Sequence, residues 1–272
     1  MTRLYVLGSG SKGNCFAVEC DGATLLVEAG FSAREIERRA VAAGLALETV
    51  AGIVLTHEHG DHACGAPRLA RQLGVPVLTA PGTWSALTGV AGTTHFALGL
   101  GLHARLGPFT VHACPTSHDA AEPIALVVEC AEGAHAPPVR IGVATDLGRP
   151  TAAVRYLLRD LTAVVLEANF DEVRLRTSGY PPSVQQRIAG SGGHLSNRAC
   201  AELLAEMFHP GLGTVVLAHL SQRCNSEQDA RAAVEPALRR AGFSGTVHVA
   251  LQDMPLEPIA VRAYGAQLGL AL

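Results

Sequence analysis

The chain has 272 residues, 48% of them hydrophobic, and a net charge of −3 at neutral pH, which fits a globular protein with one large domain or two. The low net charge excludes a general attraction to polyanions, so a nucleic-acid substrate would have to be held by a local patch or by metal ions. The seven cysteines include no Cys-x-x-Cys pair, which indicates free thiols in a reducing compartment rather than a disulfide framework. The first ten residues do not resemble a signal sequence, and no apolar stretch approaches the ~20 residues of a membrane helix. We therefore expect a soluble, cytoplasmic protein without a membrane partner.

Short runs rich in β-branched residues predict strands along the whole chain. They cover residues 4–7, 16–18, 24–28, 53–56, 75–79, 109–113, 124–129, 139–145, 163–167, 214–218 and 246–250. Helices are predicted after the N-cap residues Ser32, Ser196 and Ser226, and over residues 67–73 and 150–158. A start rich in hairpins followed by alternating strands and helices predicts an α/β fold with two mixed sheets packed together and helices outside. We expect this four-layer arrangement to form a single domain over residues 1–272.

The sequence Thr-His-Glu-His-Gly-Asp-His at residues 56–62 is the strongest functional signal. His57 and His59 point the same way on an extended chain, while Asp61 and His62 fall where the chain turns at Gly60 into a helix. His57 with His59, and Asp61 with His62, then face two adjacent positions, each suited to one metal ion. Imidazole and carboxylate suit zinc, manganese or iron, and two such ions about 3.5–4 Å apart can catalyse hydrolysis. The motif is not the His-Glu-x-x-His zinc helix, because Asp61 stands in place of the second histidine.

Further candidate ligands follow predicted strands. His118, Asp146 and His219 each come just after such a run, where loops on a rigid scaffold collect functional residues. Each alone is a weak signal, since Asp146 could instead cap a helix, but together with residues 57–62 they complete a ligand set. Structural or solvent roles are predicted for the other histidines apart from His194, namely His95, His103, His112, His135, His209 and His248.

These ligands, in this order, resemble the metallo-β-lactamase superfamily over nearly the whole chain. More narrowly, the chain resembles the YycJ/WalJ group of bacterial phosphodiesterases, which is related to ribonuclease Z and described as DNA exonucleases acting from 5′ ends. The motifs that carry this resemblance lie at residues 7–14, 56–62, 117–123, 167–171, 193–197 and 218–221. It implies a four-layer αββα sandwich. It also implies one metal ion on His57, His59 and His118, a second on Asp61, His62 and His219, and Asp146 as the bridge.

His194 lies two residues before the predicted N-cap Ser196, where an imidazole and free backbone N–H groups converge on a place suited to an anion. The resemblance implies that His194 protonates or stabilises the leaving oxygen and that Glu167 orients it. Asp61 is expected to accept a hydrogen bond from the attacking water. The predicted catalytic residues are therefore Asp61, His194 and Glu167.

Substrate contacts are predicted less specifically. The glycine-rich residues 8–13, with Ser9, Ser11 and Asn14, could hold phosphate through backbone N–H groups, but a tight turn between two strands needs the same glycines. Arg187 and Arg198 flank His194 in sequence and are candidates for backbone phosphates. Two residues depart from the family pattern. Gln186 stands near the place of a basic residue, which weakens the expected binding of the strand, and Glu28 stands in place of an aspartate, which changes a support of the ligand loop.

The sequence thus favours a phosphodiesterase with two divalent ions, Mn²⁺ or Zn²⁺, most specifically a DNA exonuclease that acts from 5′ ends in repair or replication-linked processing. A thioester or lactone hydrolase of the glyoxalase II kind shares the ligands but has no need of His194 and Glu167. A non-catalytic module that binds DNA or a partner is disfavoured because every ligand position is filled. Transfer-RNA processing of the ribonuclease Z kind is also disfavoured, because the interval from Asp146 to His194 leaves little room for a long substrate-binding arm.

Overall fold

The computed structural model describes residues 1–99, 103–131 and 137–263. Its strands are β1 (Thr2–Gly8), β2 (Cys15–Cys20), β3 (Ala23–Val27), β4 (Val50–Val54), β5 (Val77–Thr79), β6 (His95–Ala97), β7 (His103–Leu106), β8 (Phe109–Pro115), β9 (Ile124–Cys130), β10 (Val139–Ala144), β11 (Ala163–Glu167), β12 (Thr214–Ala218), β13 (Thr246–Val249) and β14 (Ile259–Val261). Its helices are α1 (Ala33–Ala43), α2 (Gly60–Ala63), α3 (Ala66–Leu73), α4 (Pro81–Ala86), α5 (Ala152–Leu157), α6 (Glu172–Thr177), α7 (Pro182–Ala189), α8 (Asn197–Met207) and α9 (Glu227–Ala241). A short 3₁₀ helix spans Leu47–Thr49.

The described strands form two seven-stranded mixed sheets with matching organisation. The first has the order β14-β1-β2-β3-β4-β5-β6 and the second β13-β12-β11-β10-β9-β8-β7. In each sheet one half is antiparallel, and the other half, β3 to β6 or β10 to β13, is parallel. Parallel strands carry their carboxyl ends to one edge, so each sheet brings its strand-end loops to a common side.

Three apolar clusters define the layers. One lies between the sheets and includes Phe16 and Phe109, both almost fully buried. A second packs the outer face of the first sheet against α1 and α3, around Ile36 and Leu69. The third packs the second sheet against α5, α8 and α9. The order helix, sheet, sheet, helix confirms the predicted four-layer α/β arrangement with two mixed sheets. Among the residues described here, no helix has the length and apolar character needed to cross a membrane.

The predicted N-caps are confirmed. The side chains of Ser32, Ser196 and Ser226 accept hydrogen bonds from backbone N–H groups three residues later, at the starts of α1, α8 and α9. This satisfies donors that have no partner inside the helix.

The prediction missed β6, β7 and β14, which are only three or four residues long. It also missed α4, α6 and α7. Helix α7 is only eight residues long and has no buried residue, so its apolar pair Val184 and Ile188 is a weak signal. Helix α6 does have a signal, because the side chain of Asp171 caps its first turn.

Candidate metal centre and active site

The predicted ligands converge at one edge of the two sheets. His57 to His62 follow β4 of the first sheet, while His118, Asp146 and His219 follow β8, β10 and β12 of the second. Gly30 lets the ligand loop approach β3, because a Cβ atom there would lie 1.7 Å from the carbonyl oxygen of Asp61. Asp146 and His219 have positive φ angles of 56° and 55°, which non-glycine residues rarely adopt outside functional sites.

The first group of ligands is the triplet His57, His59 and His118, whose nitrogens lie within 4.8 Å of one another. His57 Nε2 is 3.1 Å from His59 Nδ1, and His118 Nε2 is 3.3 Å from the same atom. A tetrahedral zinc site with metal–nitrogen bonds of about 2.0–2.1 Å separates its nitrogens by roughly 3.3 Å. The spacing of this triplet therefore fits a single metal ion.

The second triplet is Asp61, His62 and His219. Asp61 Oδ2 lies 3.5 Å from His62 Nε2 and 3.4 Å from His219 Nε2. These separations again fit a tetrahedral site. Burial opposes the charge of Asp61, but the two imidazoles outweigh it and hold the pKa of this carboxyl well below its usual range.

Asp146 lies between the triplets, as predicted for a bridging ligand. Its Oδ2 is 2.9 Å from His62 Nε2, and its Oδ1 is 3.7 Å from His118 Nε2 and from His219 Nδ1. Oδ2 is buried and accepts no hydrogen bond of regular geometry from the described residues. A buried carboxylate oxygen without a proper partner is costly, and a cation would satisfy it. The donor set therefore fits divalent metal ions.

The outer nitrogens of the two triplets have different partners. In the first, His57 Nδ1 is 2.9 Å from Thr56 Oγ1 and His118 Nδ1 is 3.1 Å from the carbonyl oxygen of Gly193. Burial lowers the pKa of both imidazoles.

In the second triplet both outer nitrogens face carboxylates. His62 Nδ1 lies 3.4 Å from Glu28 Oε1, and His219 Nδ1 lies 3.2 Å from Glu167 Oε1. Burial disfavours both charged imidazoles, but the surrounding carboxylates outweigh it and raise the pKa of His219 to about 9. Carboxylates in this position fix the ring and make the nitrogen a stronger metal ligand.

His194 and Glu167 form the predicted pair. His194 Nδ1 lies 2.8 Å from Glu167 Oε1 and 3.1 Å from Asp146 Oδ1. Glu167 is fully buried, and its Oε2 accepts hydrogen bonds from the backbone N–H groups of Leu147 and Leu195. Burial opposes the charge of His194, but Glu167 and Asp146 raise the pKa of its imidazole to about 10. The ring is thus oriented beside the ligand cluster by two buried carboxylates.

The glycine-rich loop between β1 and β2 is hydrogen-bonded to the backbone of two ligand residues, Asp61 and His219. Ser9 Oγ donates to Asn14 Oδ1 at 2.7 Å and accepts from the backbone N–H of His219 at 2.8 Å. Asn14 is fully buried, and its Nδ2 donates to the carbonyl oxygens of Gly10 and Asp61. In place of the predicted contact with substrate, Asn14 therefore fixes the loop against the ligand motif, because its polar atoms are already used.

A cavity of about 260 Å³ opens onto both triplets. Of the predicted substrate residues, Ser11 and Arg187 line it. Arg187 also pairs with Asp119 at 2.7 Å, beside the ligand His118. Arg198 lies outside this cavity and pairs with Glu172 and Glu202. The sequence therefore identified two residues that reach the cavity and two that do not.

The supporting roles of Asp119 and Asn169 were not identified from the sequence, although the two residues lie in the motifs at residues 117–123 and 167–171. Asn169 Nδ2 donates to the carbonyl oxygen of His219 at 2.8 Å. Ser9 was considered only as a contact with phosphate, and its hydroxyl instead joins Asn14 to the backbone of His219. Of the histidines assigned to structural roles, His95 stacks on Trp84, and His135 lies outside the described residues.

The chain is similar to proteins of known family. Residues 8–112 match the family model described as the metallo-beta-lactamase superfamily. The chain is 34% identical over 242 residues to an exodeoxyribonuclease YycJ from Bacillus anthracis, covering 88% of this chain and 89% of that protein. It is 27% identical over 257 residues to an exodeoxyribonuclease WalJ from Streptococcus pneumoniae, covering 92% and 93% of the two proteins.

Solved structures show the same fold at lower identity. The metallo-beta-lactamase fold protein YhfI from Bacillus subtilis aligns with a TM-score of 0.70 and 18% identity over 94% of this chain and 98% of its own. The short form of human tRNase Z aligns with a TM-score of 0.62 and 17% identity, covering 96% and 100% of the two chains. The chain therefore belongs to the metallo-β-lactamase superfamily, as a metal-dependent hydrolase of the family that contains YycJ and WalJ.

Proposed function

We propose that the protein is a two-metal DNA exonuclease that releases nucleotides from 5′ ends, in DNA repair or replication-linked processing. The single observation that carries this proposal is the His194–Glu167 pair, 2.8 Å apart and adjacent to Asp146. A thioester releases a thiolate, which departs without a dedicated proton donor, whereas the 3′ oxygen of a nucleotide is a poor leaving group. A protonated imidazole held by a buried carboxylate beside the metal centre supplies that proton.

The proposed ligands follow the two triplets. His57, His59 and His118 would hold one ion, Asp61, His62 and His219 would hold the other, and Asp146 would contribute to both sites. Divalent ions, Mn²⁺ or Zn²⁺, supply positive charge that activates water and neutralises the phosphate oxygens. Because both sheets contribute ligands, we propose that residues 1–272 act as one domain.

The side chains around the metal cavity then have separate roles in the reaction. Asp61, which lines the metal cavity, accepts a hydrogen bond from the attacking water. His194 donates a proton to the departing 3′ oxygen, and Glu167 keeps Nδ1 of that ring occupied so that Nε2 faces the substrate. Ser11 and Arg187, which line the same cavity, contact phosphates of the strand.

DNA is the proposed substrate because the relatives at 34% and 27% identity are named exodeoxyribonucleases. Because the net charge of the chain is −3, DNA must be bound by local positive charge, which Arg187 in the cavity and the metal ions provide.

The test is degradation of 5′- and 3′-labelled DNA, single- and double-stranded, with matching RNA and a thioester as competing substrates, in Mn²⁺, Mg²⁺ or Zn²⁺. We expect mononucleotides to be released from 5′ ends of DNA. Protein with Asp146→Ala, purified in parallel, controls for contaminating nucleases. Thioester cleavage without DNA cleavage, or faster digestion of RNA than of DNA, would contradict the proposal.

A further inference from the structure

A second cavity, of about 380 Å³, adjoins the metal cavity and is not used by the chemistry described above. His194 is in the wall of both cavities. The floor of the second cavity is apolar, with Phe170 and Leu175 each only 4% exposed. Two arginines, Arg176 and Arg198, line it as well. An apolar floor with guanidinium groups suits a nucleotide, which presents a flat base and a phosphate.

The position of His194 determines which part of the strand would enter this cavity. Its Nδ1 is held by Glu167, and within the described part of the chain no protein group bonds Nε2. If Nε2 protonates the leaving 3′ oxygen, the nucleotide that carries that oxygen lies on the His194 side of the scissile phosphate. During digestion from a 5′ end, that nucleotide is the terminal one.

We infer that the second cavity binds the 5′-terminal nucleotide of the DNA and that Arg176 contacts its 5′ phosphate, an inference that rests on the proposed function. The rest of the strand then leaves the metal cavity on the other side, past Arg187 of α7. The cavity thus selects a chain end. An internal nucleotide placed there would carry a further nucleotide on its 5′ phosphate, and the cavity would also have to admit that nucleotide.

The two arginines are not equivalent. Arg198 Nε is 3.1 Å from Glu172 Oε1, so its charge is already neutralised by a carboxylate that also lines the cavity. Arg176 is in the last turn of α6 and pairs with no carboxylate among the described residues. A terminal phosphate carries up to two negative charges and accepts paired N–H bonds from a guanidinium. Arg176 is therefore the principal phosphate contact.

The experiment compares two single-stranded DNA oligonucleotides that differ only in a 5′ phosphate or a 5′ hydroxyl. The quantity measured is the ratio of their kcat/KM values, for wild type, Arg176→Ala, Arg176→Lys and Arg174→Ala. Arg174 is the matched control because it is on the same helix but pairs with Asp229 at 2.6 Å. Since Arg176 is exposed, its replacement leaves the core intact.

We expect wild type to prefer the 5′-phosphorylated strand by about tenfold or more, as for a hydrogen bond to a charged group. The ratio falls toward one in Arg176→Ala, is partly restored by Arg176→Lys and stays at the wild-type value in Arg174→Ala. A wild-type ratio near one, or an equal loss on both strands in Arg176→Ala, would overturn the inference while leaving the proposed function in place. Release of nucleotides from 3′ ends would overturn both. No DNA cleavage by wild type would instead overturn the proposed function.

Discussion

The two ligand triplets have similar spacing but opposite surroundings. Around His57, His59 and His118 the outer contacts are a hydroxyl and a backbone carbonyl, both uncharged. Around Asp61, His62 and His219 they are the buried carboxylates of Glu28 and Glu167. The first triplet therefore offers neutral ligands, whereas the second concentrates negative charge.

This difference implies a different role for each of the two triplets, here the neutral side and the carboxylate-rich side of the metal centre. The carboxylate-rich side should hold its cation more firmly and also carries the proposed proton donor, because Glu167 Oε1 contacts both His219 and His194. The neutral side borders Asp119 and Arg187, which pair with each other and line the metal cavity. Asp146 contacts ligands of both triplets.

The largest effect is expected from Asp146→Ala, because it removes the shared ligand. Both ions should be bound more weakly, and the rate on DNA should fall by more than the roughly 10²–10⁴-fold that a lost proton donor costs. Elemental analysis after gentle purification measures this directly, with about two ions expected in the wild type. His118→Ala is the comparison and should weaken mainly the ion on the neutral side. Full occupancy in Asp146→Ala would disprove the bridge.

A smaller loss is expected from His194→Ala, which should separate metal binding from catalysis. The rate on DNA should fall by about 10²–10⁴-fold, roughly 3–5 kcal/mol of barrier, with metal content unchanged. The deficit should shrink on bis-p-nitrophenyl phosphate, whose leaving group needs no proton. Loss of metal, or an equal deficit on both substrates, would make His194 a ligand or a phosphate anchor instead.

The proposed metal ligands could be predicted because their chemistry is visible in the chain. Imidazoles and carboxylates that follow one strand after another are typical of a metal site, so His118, Asp146 and His219 could be placed beside the motif at residues 57–62. The pairing of His194 with Glu167 was predicted from the family resemblance, and the geometry places them 2.8 Å apart.

The surroundings of the ligands could not be predicted in the same way. Glu28 contacts His62 because two loops of the first sheet meet. The sequence marked Glu28 as a departure from the family pattern at a support of the ligand loop, but not its partner. Asn14 belongs to a recognised motif, but whether its amide faces substrate or protein depends on contacts with Asp61 that are distant in sequence. The second cavity needs α6 and α8 together, and α6 was not predicted.

An intermediate effect is expected when the outer contacts are changed one at a time. Glu28→Gln should lower the affinity for one of the two ions by about 10–100-fold, since it removes the carboxylate beside His62. Thr56→Val, a replacement of similar shape that removes the hydroxyl beside His57, should weaken binding less than tenfold. Competition with a chromogenic chelator measures both affinities. Equal losses would mean that the charge difference between the two sides does not control metal affinity.

The smallest effect is expected from Arg187→Ala on the neutral side. Its guanidinium is 72% exposed and held by Asp119 over the metal cavity, so it should contact one phosphate without affecting the ions. Binding of duplex DNA should then weaken a few-fold, and the slope of log affinity against log salt should become shallower by about 0.9. Arg239→Ala is the matched control, because Arg239 is 65% exposed and paired with Glu235 on α9, and its slope should equal that of the wild type. An unchanged slope together with loss of one ion in Arg187→Ala would mean that the Arg187–Asp119 pair positions the His118 loop. Metal binding on the neutral side would then depend on this ion pair, as metal binding on the other side depends on Glu28 and Glu167.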